Sequence, residues 1–289
     1  MRILITGKHS YIGNSVKAWL NDKEPSFIVD EISLRNVVLK NITFNNYDVV
    51  FHVAGIAHIS ANKKMIPEYF RINRDLAIEV ANKAKLEGVR QFIFTSSMAI
   101  YGDDRPIGDF RPIDITRPSP TNAYGQSKLE ADLAIQKLQD KNFNVSILRI
   151  PMVYGVNSKG NFHKLFAISN KIGIFPKIRN VRSALHINNL SKLVNLIINN
   201  KISGVLYPQD QKYFNTNEFI QKYRESLGKK TFFLPFSSFF FMVISIFNQS
   251  INKIYGNKYY ETKVSILHSH KYQSSSITSF IKEIKDISC

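Results

Sequence analysis

Short apolar runs alternate regularly with longer amphipathic segments over roughly the first 150 residues. The apolar runs, which have the pattern of buried strands, are 2–6, 48–55, 91–97 and 145–150, and a further extended stretch, 27–34, is partly polar. Helical spacing of apolar residues is found between them, at 11–20, 67–89 and 119–140. This alternation predicts an α/β fold, a doubly wound parallel sheet with helices on both faces. Ligands bind such sheets at the carboxyl ends of the strands.

The pattern loosens after Pro151, where shorter elements contain more Asn, Pro and aromatic residues. We therefore predict a first domain over residues 1–150 and a smaller second lobe over 151–289, interleaved with the first.

Charge and cysteine content restrict the partners. The net charge is +17, but the lysines are scattered, with no run of five or more. This argues against nucleic acid and leaves a solvated basic surface, an anionic substrate or an anionic membrane surface. The one cysteine, Cys289, excludes a disulfide framework or a cysteine-based metal site within one chain, and no metal is expected. With no secretory signal visible, we expect a reducing, cytoplasmic location.

A glycine-rich turn follows the first predicted strand, in the stretch ITGKHSYIG (5–13). Gly7 would allow the tight turn and Gly13 the close packing of helix on strand in a dinucleotide-binding fingerprint. Ser10 stands where the middle glycine would let a pyrophosphate approach the backbone, so the approach shifts or the hydroxyl joins the contact. The amides of the following helix, which starts with Tyr11 and Ile12, remain to bind phosphate.

Tyr124 and Lys128 are four residues apart on a predicted helix and therefore share a face. A phenol has a pKa near 10, and a nearby ammonium is expected to lower it toward the range useful for acid–base catalysis. Such a pair could move the proton of a sugar hydroxyl during hydride transfer, although the same spacing occurs in many helices without a catalytic role. Ser96 and Ser97 end a buried strand, where one of them could bind the same substrate oxygen or merely cap the strand.

Together, in this order and spacing, the three stretches resemble the extended short-chain dehydrogenase/reductase family, which includes UDP-galactose 4-epimerase. The family patterns TGxxGxxG, SSxxVYG and YxxxK correspond to 6–13, 96–102 and 124–128. The resemblance implies a Rossmann NAD(P)-binding domain and a nucleotide-sugar-binding lobe. It implies catalytic roles for Ser97, Tyr124 and Lys128, and selects Ser97 over Ser96. Cofactor contacts are implied for Tyr124, Lys128 and a further set: Gly7, Ser10, Tyr11, Ile12, Gly13, Ala54 and Gly55.

The resemblance extends to about residue 220. DVVFHVAG (48–55) matches a family strand that lines the cofactor, with Gly55 in place of an alanine, and Asn73 matches a supporting asparagine. GNFHKL (160–165) and RSALHINNL (182–190) imply that Asn161 and Arg182 bind the nucleotide diphosphate. Arginine suits that role because its planar fork can bind phosphate at two points. His52 and His186 are interpreted as packing residues.

Two departures narrow the reaction. Family 4,6-dehydratases carry Asp-Glu after the catalytic hydroxyl, whereas Met98 and Ala99 stand here and cannot transfer protons. What remains is chemistry at C4 of a UDP-linked sugar or amino sugar in surface-polysaccharide synthesis. We lean to a 4-ketoreductase, with a 4-epimerase as the alternative. A non-catalytic NADP-binding sensor or scaffold is the hypothesis of another class, which the retention of all three catalytic residues disfavours.

The cofactor depends on where the second strand ends. If FIVDEISLRN (27–36) ends near Val29, then Asp30 or Glu31 would bind the ribose of NAD(H). If it ends near Leu34, then Ser33 and Arg35 would bind the extra phosphate of NADP(H). The interpretation leans to the longer strand, Arg35 and NADP(H).

An uncharged stretch over 231–250 is the last notable feature. It is long enough to span a bilayer, but Pro235, several serines and the terminal Asn and Gln make it a poor span. The favoured interpretation is a buried or substrate-covering helix. The alternative is a peripheral membrane contact flanked by Lys229, Lys230 and Lys253, at the inner face of the membrane. A second copy of the chain, forming a homodimer, is a further candidate partner.

Overall fold

The computed structural model describes residues 1–57, 65–158, 161–235, 237–265 and 272–288. It divides the chain into two compact units. Unit 1 contains Met1–Gly102, Thr116–Ile150 and Ile187–Pro208. Unit 2 contains Asp103–Ile115, Pro151–His186 and Gln209–Cys289.

Unit 1 is built on a parallel sheet of six strands. The strands are β1 (Arg2–Thr6), β2 (Ile28–Ile32), β3 (Val49–His52), β4 (Gln91–Ser97), β5 (Asn144–Ile150) and β9 (Gly204–Leu206). Their order in the sheet is β2-β1-β3-β4-β5-β9. The order reverses between β1 and β3, so their carboxyl ends flank the crevice where a doubly wound sheet binds its ligand.

The helices of unit 1 connect these strands. They are α1 (Tyr11–Lys23), α2 (Ile66–Tyr69), α3 (Ala77–Leu86), α4 (Ala123–Gln136) and α6 (Ile187–Asn200). A π-helical segment, Phe70–Leu76, joins α2 to α3, and a short 3-10 helix, Met98–Tyr101, follows β4.

The core of unit 1 lies between the sheet and its helices. Leu4, Val50, Phe92 and Ile147 of four neighbouring strands are fully buried, and alanines of α3 pack closely on them. Because both faces of the sheet are covered, the central strands are continuously apolar rather than alternating.

Unit 2 contains two small parallel ribbons. One pairs β6 (Met152–Tyr154) with β8 (Ala184–His186), and the other pairs β7 (Ile174–Pro176) with β10 (Phe232–Leu234). Its helices are α5 (Asn161–Lys171), α7 (Thr216–Ser226), α8 (Ser237–Phe247), α9 (Gln249–Tyr255) and α10 (Ile277–Ser288). An aromatic cluster around Phe162 and Phe219 forms its core.

The α/β prediction is confirmed, and the predicted strands of unit 1 are found within a few residues. The boundary near residue 150 coincides with a limit between the units, but Ile187–Pro208 belongs to unit 1 and Asp103–Ile115 to unit 2. Ile187–Pro208 belongs to unit 1 because its strand β9 pairs with β5 and its helix α6 packs on α1.

The uncharged stretch 231–250 differs most from its prediction. It is divided at Pro235 into strand β10 and helix α8, whereas the favoured interpretation was one buried or substrate-covering helix. Several of its aromatic residues are exposed, including Phe239 and Phe247. Within the described ranges, no helix has the length and apolar character needed to cross a membrane.

Candidate active site

The glycine-rich turn between β1 and α1 packs against the end of β3. Gly7 has a φ of 115°, and a side chain on it would meet the amide nitrogen of Ala54 at 2.9 Å. A Cβ on Gly13 would lie 2.6 Å from the Ser10 hydroxyl oxygen and 3.2 Å from Val53. Glycine is therefore required at both positions by the close approach of turn, helix and strand.

Ser10 caps α1. Its hydroxyl oxygen accepts a hydrogen bond of 3.0 Å from the amide of Gly13, and its own amide donates to the carbonyl oxygen of Gly7 at 3.0 Å. The side chain thus replaces the middle glycine of the fingerprint without filling the turn. The first residues of α1, Tyr11 and Ile12, follow directly, and the helix start fits a pyrophosphate as an anion partner.

The loop after β3 is fixed by Asn73. The Asn73 amide oxygen accepts from the amide of Ile56 at 2.8 Å, and its nitrogen donates to the Ile56 carbonyl at 3.0 Å. A Cβ on Gly55 would meet the Asn73 oxygen at 3.0 Å. Asn73 lies in the π-helical segment and is fully buried. It therefore holds the predicted cofactor-lining loop, Ala54 and Gly55, in place.

The two serines at the end of β4 have different partners. Ser96 is fully buried and donates to the carboxylate of Asp132 at 2.6 Å. Asp132 in turn forms a two-point ion pair with Arg149, with both distances 3.0 Å. Ser97 is half-buried, accepts from the amide of Ala99 at 3.1 Å and lies near enough to Tyr124 to lower the pKa of its phenol. The geometry thus assigns Ser96 to an internal network and leaves Ser97 beside the tyrosine.

The start of helix α4 positions Tyr124. Asn122 caps it, accepting from the amide of Gly125 at 2.9 Å. A Cβ on Gly125 would lie only 2.6 Å from the carbonyl oxygen of Ala99. The missing side chain of Gly125 lets α4 approach the 3-10 helix after β4, which brings Tyr124 to Ser97. Neither this role of Gly125 nor the Ser96–Asp132–Arg149 network was found from the sequence.

The protonation of Tyr124 differs from the sequence-based expectation. Burial raises the pKa of its phenol, and the proximity of Tyr69 adds to the rise, while the hydrogen bond from Ser97 opposes it. The two tyrosine rings meet edge to face, with their centroids 6.0 Å apart. The expectation that a neighbouring ammonium lowers this pKa is therefore wrong for the structure described, because burial outweighs the other influences.

Lys128 lies one turn further along α4 and is only 4% exposed. Burial lowers the pKa of its ammonium to about 7, and the charge of Asp132 partly opposes the change. Its Nζ lies 4.2 Å from the ring centroid of Phe94 in a cation–π contact. Phe94 also stacks on His52, whose Nδ1 is 2.7 Å from the Thr6 hydroxyl. His52 is thus a packing residue that supports Phe94.

Strand β2 ends at Ile32, between the two alternatives considered. Both acidic residues lie inside the strand and are ion-paired, Asp30 with Arg2 at 3.1 Å and Glu31 with Lys17 at 3.7 Å. Arg35 follows the strand and is exposed, and its amide donates to the Ser33 hydroxyl at 3.2 Å.

In unit 2, Arg182 is 8% exposed and has several partners of its own. It pairs with Asp104 at 3.1 Å and donates to the carbonyl oxygens of Asn252 and Gly256 at 3.1 and 3.3 Å. Lys258, on the neighbouring backbone segment, adds a second cation, and its pKa is lowered by burial and by Arg182. Lys258 was not identified from the sequence. Asn161 begins α5, and its side chain lies outside the described residues.

A cavity of about 670 Å³ opens at the amino ends of β3, β4 and β5. It contains none of the predicted site residues and lies at the edge of the sheet opposite the glycine turn. Ligands of doubly wound sheets bind at the carboxyl edge, so this cavity is not the candidate active site.

Comparison with known proteins agrees with this arrangement. The family model "NAD dependent epimerase/dehydratase family" matches residues 3–206, well over half of the chain. The chain belongs to this family.

Two curated relatives of this chain are named as 4-epimerases. The chain is 30% identical to the UDP-glucose 4-epimerase of Vibrio cholerae over 260 residues, covering 81% of this chain and 78% of the relative. It is 25% identical to an N-acetyl-α-D-glucosaminyl-diphospho-undecaprenol 4-epimerase of Escherichia coli O157:H7, covering 68% of this chain and 61% of that protein.

A solved structure has the same fold. UDP-glucuronic acid 4-epimerase from Bacillus cereus, in complex with NAD, superposes with a TM-score of 0.73 at 19% identity. The match covers 99% of this chain and 96% of that one. The family member described here is therefore an NAD(P)-dependent enzyme of the nucleotide-sugar epimerase and reductase type.

Proposed function

We propose that this protein is a UDP-sugar 4-epimerase, which removes and returns hydrogen at C4 of the sugar. The observation that carries the proposal is the placement of Ser97, at the carboxyl end of β4, beside the phenol of Tyr124, with Lys128 one turn further along α4. The neighbouring Met98 and Ala99 offer no group that transfers protons, which confines the chemistry to one carbon. The names of the two curated relatives support epimerisation.

The roles of the three residues follow from their surroundings. Ser97 would hold the oxygen on C4. Because Tyr124 is protonated near neutral pH, it would pass its own proton to the neutral form of Lys128 as it takes the proton of the C4 hydroxyl during oxidation, and the reverse transfers would follow on reduction. Lys128 would position the cofactor ribose and exchange a proton with the phenol. The bound nicotinamide supplies and accepts the hydride. Gly7, Gly13 and the start of α1 would hold its pyrophosphate.

The proposal extends to substrate class. Both curated relatives are named for sugars joined to a diphosphate, one on uridine and one on a polyprenol. In unit 2, the buried Arg182 and the half-buried Lys258 bring two cations together beside Asp104, an arrangement that suits a diphosphate. The sequence-based lean to a reductase becomes the second candidate.

The test is interconversion of UDP-glucose and UDP-galactose, and of their N-acetylamino counterparts, by purified protein without added reductant. We expect interconversion in that reaction and, in a separate reaction with added NADPH, no net loss of NADPH, because an epimerase regenerates its own cofactor. Stoichiometric consumption of NADPH with a UDP-4-keto sugar, and no interconversion, would contradict the proposal and establish the second candidate.

That second candidate, an NADPH-dependent 4-ketoreductase, is favoured by one observation. The acidic residues of β2 are ion-paired with Arg2 of β1 and Lys17 of α1, while Ser33 and the exposed Arg35 follow the end of β2. This arrangement suits a 2′-phosphate. If Arg35 binds this phosphate, Arg35→Ala should weaken NADPH binding at least tenfold more than NADH binding. Fluorescence titration with each cofactor measures the difference. Equal effects on both cofactors would remove the support for NADP(H).

A further inference from the structure

Helix α8 presents an uncharged apolar face to solvent. Phe239, Phe240, Ile246 and Phe247 have exposed fractions of 71%, 63%, 63% and 85%. With Met242 and Val243, they fall within an arc of about 160° around the helix axis, at 100° per residue. Contiguous exposed apolar surface of this kind marks an interaction site.

The opposite face fixes the orientation of the helix in unit 2. Phe241 packs with Ile107, Ile178 and Tyr255. The Ser245 hydroxyl oxygen accepts from the amide of Ile107 at 3.3 Å. Since this side of α8 is anchored, the apolar arc faces outward as a built feature of the unit.

The neighbouring ribbon also exposes apolar side chains. Helix α8 packs next to β7, which pairs in register with β10. Ile174 and Phe232, opposite each other in that register, are 57% and 61% exposed. We call the outward residues of α8 together with Ile174 and Phe232 the apolar patch.

The charges near the apolar patch are mainly basic. Asp109 follows Gly108, which lies against Met242, but its carboxylate is paired with Arg105 and Arg111. From Ser226 to Tyr260 the chain contains no Asp or Glu, and the segment 141–209 contains none either. Lysines flank the elements that carry the patch. They are Lys171 and Lys177 beside β7, Lys230 before β10 and Lys253 in α9, and all four are exposed. A second copy of the chain would bring like charges together, whereas an anionic lipid surface would complement them.

We infer that the apolar patch docks the enzyme on the surface of an anionic lipid bilayer, with the side chains of α8 entering the headgroup region and the lysines meeting lipid phosphates. The inference goes beyond the proposed function, since soluble UDP-sugars require no membrane. Its consequence is that the enzyme works next to the bilayer, where sugars are joined to lipid carriers.

The experiment is flotation of the full chain with vesicles of equal parts phosphatidylglycerol and phosphatidylcholine. The variant is Phe239→Ser with Phe247→Ser. The matched control is Leu86→Ser, because Leu86 ends α3 in unit 1 and is 86% exposed, as Phe247 is 85% exposed. We expect the double variant to bind at least tenfold more weakly, the control to bind as the wild type does, and pure phosphatidylcholine vesicles to bind less.

Equal binding by the double variant and the wild type, or no binding by the wild type, would overturn the inference. So would a wild-type dimer in sedimentation that the double variant dissociates, without vesicle binding, because the patch would then join two copies. Thermal melting verifies that the variants fold. Turnover of a soluble UDP-sugar is measured on the same preparations. Loss of turnover in every preparation, the wild type included, would count against the proposed function. Vesicle binding alone tests whether the apolar patch docks on lipid.

Discussion

At the scale of single residues, burial moves the pKa values of Tyr124 and Lys128 in opposite directions. The phenol pKa rises, and the ammonium pKa falls to about 7. Near neutral pH the proton therefore stays on Tyr124, while Lys128 holds its proton less firmly than an ordinary lysine. A pair poised in this way can both donate and accept a proton, as chemistry that runs in both directions at C4 requires.

The shift of Lys128 predicts how stability depends on pH. Its pKa is about 7 in the native protein, against 10.5 for an ordinary lysine. Between these values the unfolded chain binds more protons, so the free energy of unfolding rises with pH by up to about 1 kcal/mol per unit. Lys128→Met should abolish this part of the rise and increase stability near pH 7. Urea unfolding across the window tests it, and identical pH slopes for the two proteins would contradict it.

The choice between Ser96 and Ser97 shows what the sequence could not supply at this scale. The family resemblance selected Ser97, and the residues alone left both open. The deciding contact is the Asp132 carboxylate, which binds Ser96 and is itself held by Arg149 from β5. These partners lie 36 and 17 residues from Asp132, so local patterns carry no trace of them.

At the scale of elements, the position of the site depends on how closely α4 approaches the 3-10 helix after β4. The helix and the strand were predictable from apolar spacing. The close approach was not predictable, because it depends on the absence of a Cβ at Gly125, which faces the carbonyl oxygen of Ala99, a residue far away in the sequence. The π-helical segment was missed for a similar reason. Asn73 bonds to the backbone of Ile56, 17 residues away, and local periodicity does not report that contact.

We predict that Gly125→Ala lowers turnover at least tenfold and also lowers Tm by several degrees, because its Cβ would lie 2.6 Å from the Ala99 carbonyl oxygen. Gly88→Ala is the control. Gly88 has a φ of 81°, but a Cβ on it would have no neighbouring atom within 4 Å, so the substitution costs stability without a clash. Turnover of Gly125→Ala equal to that of Gly88→Ala would contradict the role of this contact.

At the scale of the whole molecule, the sequence predicted two interleaved units but not the segments that cross between them. Ile187–Pro208 belongs to unit 1 because β9 pairs with β5, more than 50 residues earlier in the chain. Short elements rich in Asn and Pro carry little periodicity, so their assignment to a unit depends on long-range pairing. Unit 1 carries the predicted catalytic and cofactor residues, and unit 2 carries the predicted diphosphate residues.

This division predicts separable effects on cofactor and substrate. Lys258→Met should raise the KM for a UDP-sugar at least tenfold with little change in cofactor affinity, because it removes a cation from the Arg182 cluster. Arg182→Ala should raise KM as well and also lower Tm, since its guanidinium anchors the carbonyl oxygens of Asn252 and Gly256. Lys253→Met, at an exposed position, is the control. Unchanged KM values in the folded variants would contradict the assignment of this cluster to the diphosphate.

The central claim is that Tyr124, beside Ser97, moves the proton of the C4 hydroxyl. The most direct measurement compares the rate of UDP-glucose and UDP-galactose interconversion by the wild type and by Tyr124→Phe, with cofactor binding and Tm measured on both. The substitution removes only the phenolic oxygen, so cofactor binding and fold should persist while turnover falls by about 10² or more. Turnover of Tyr124→Phe close to that of the wild type would contradict the account.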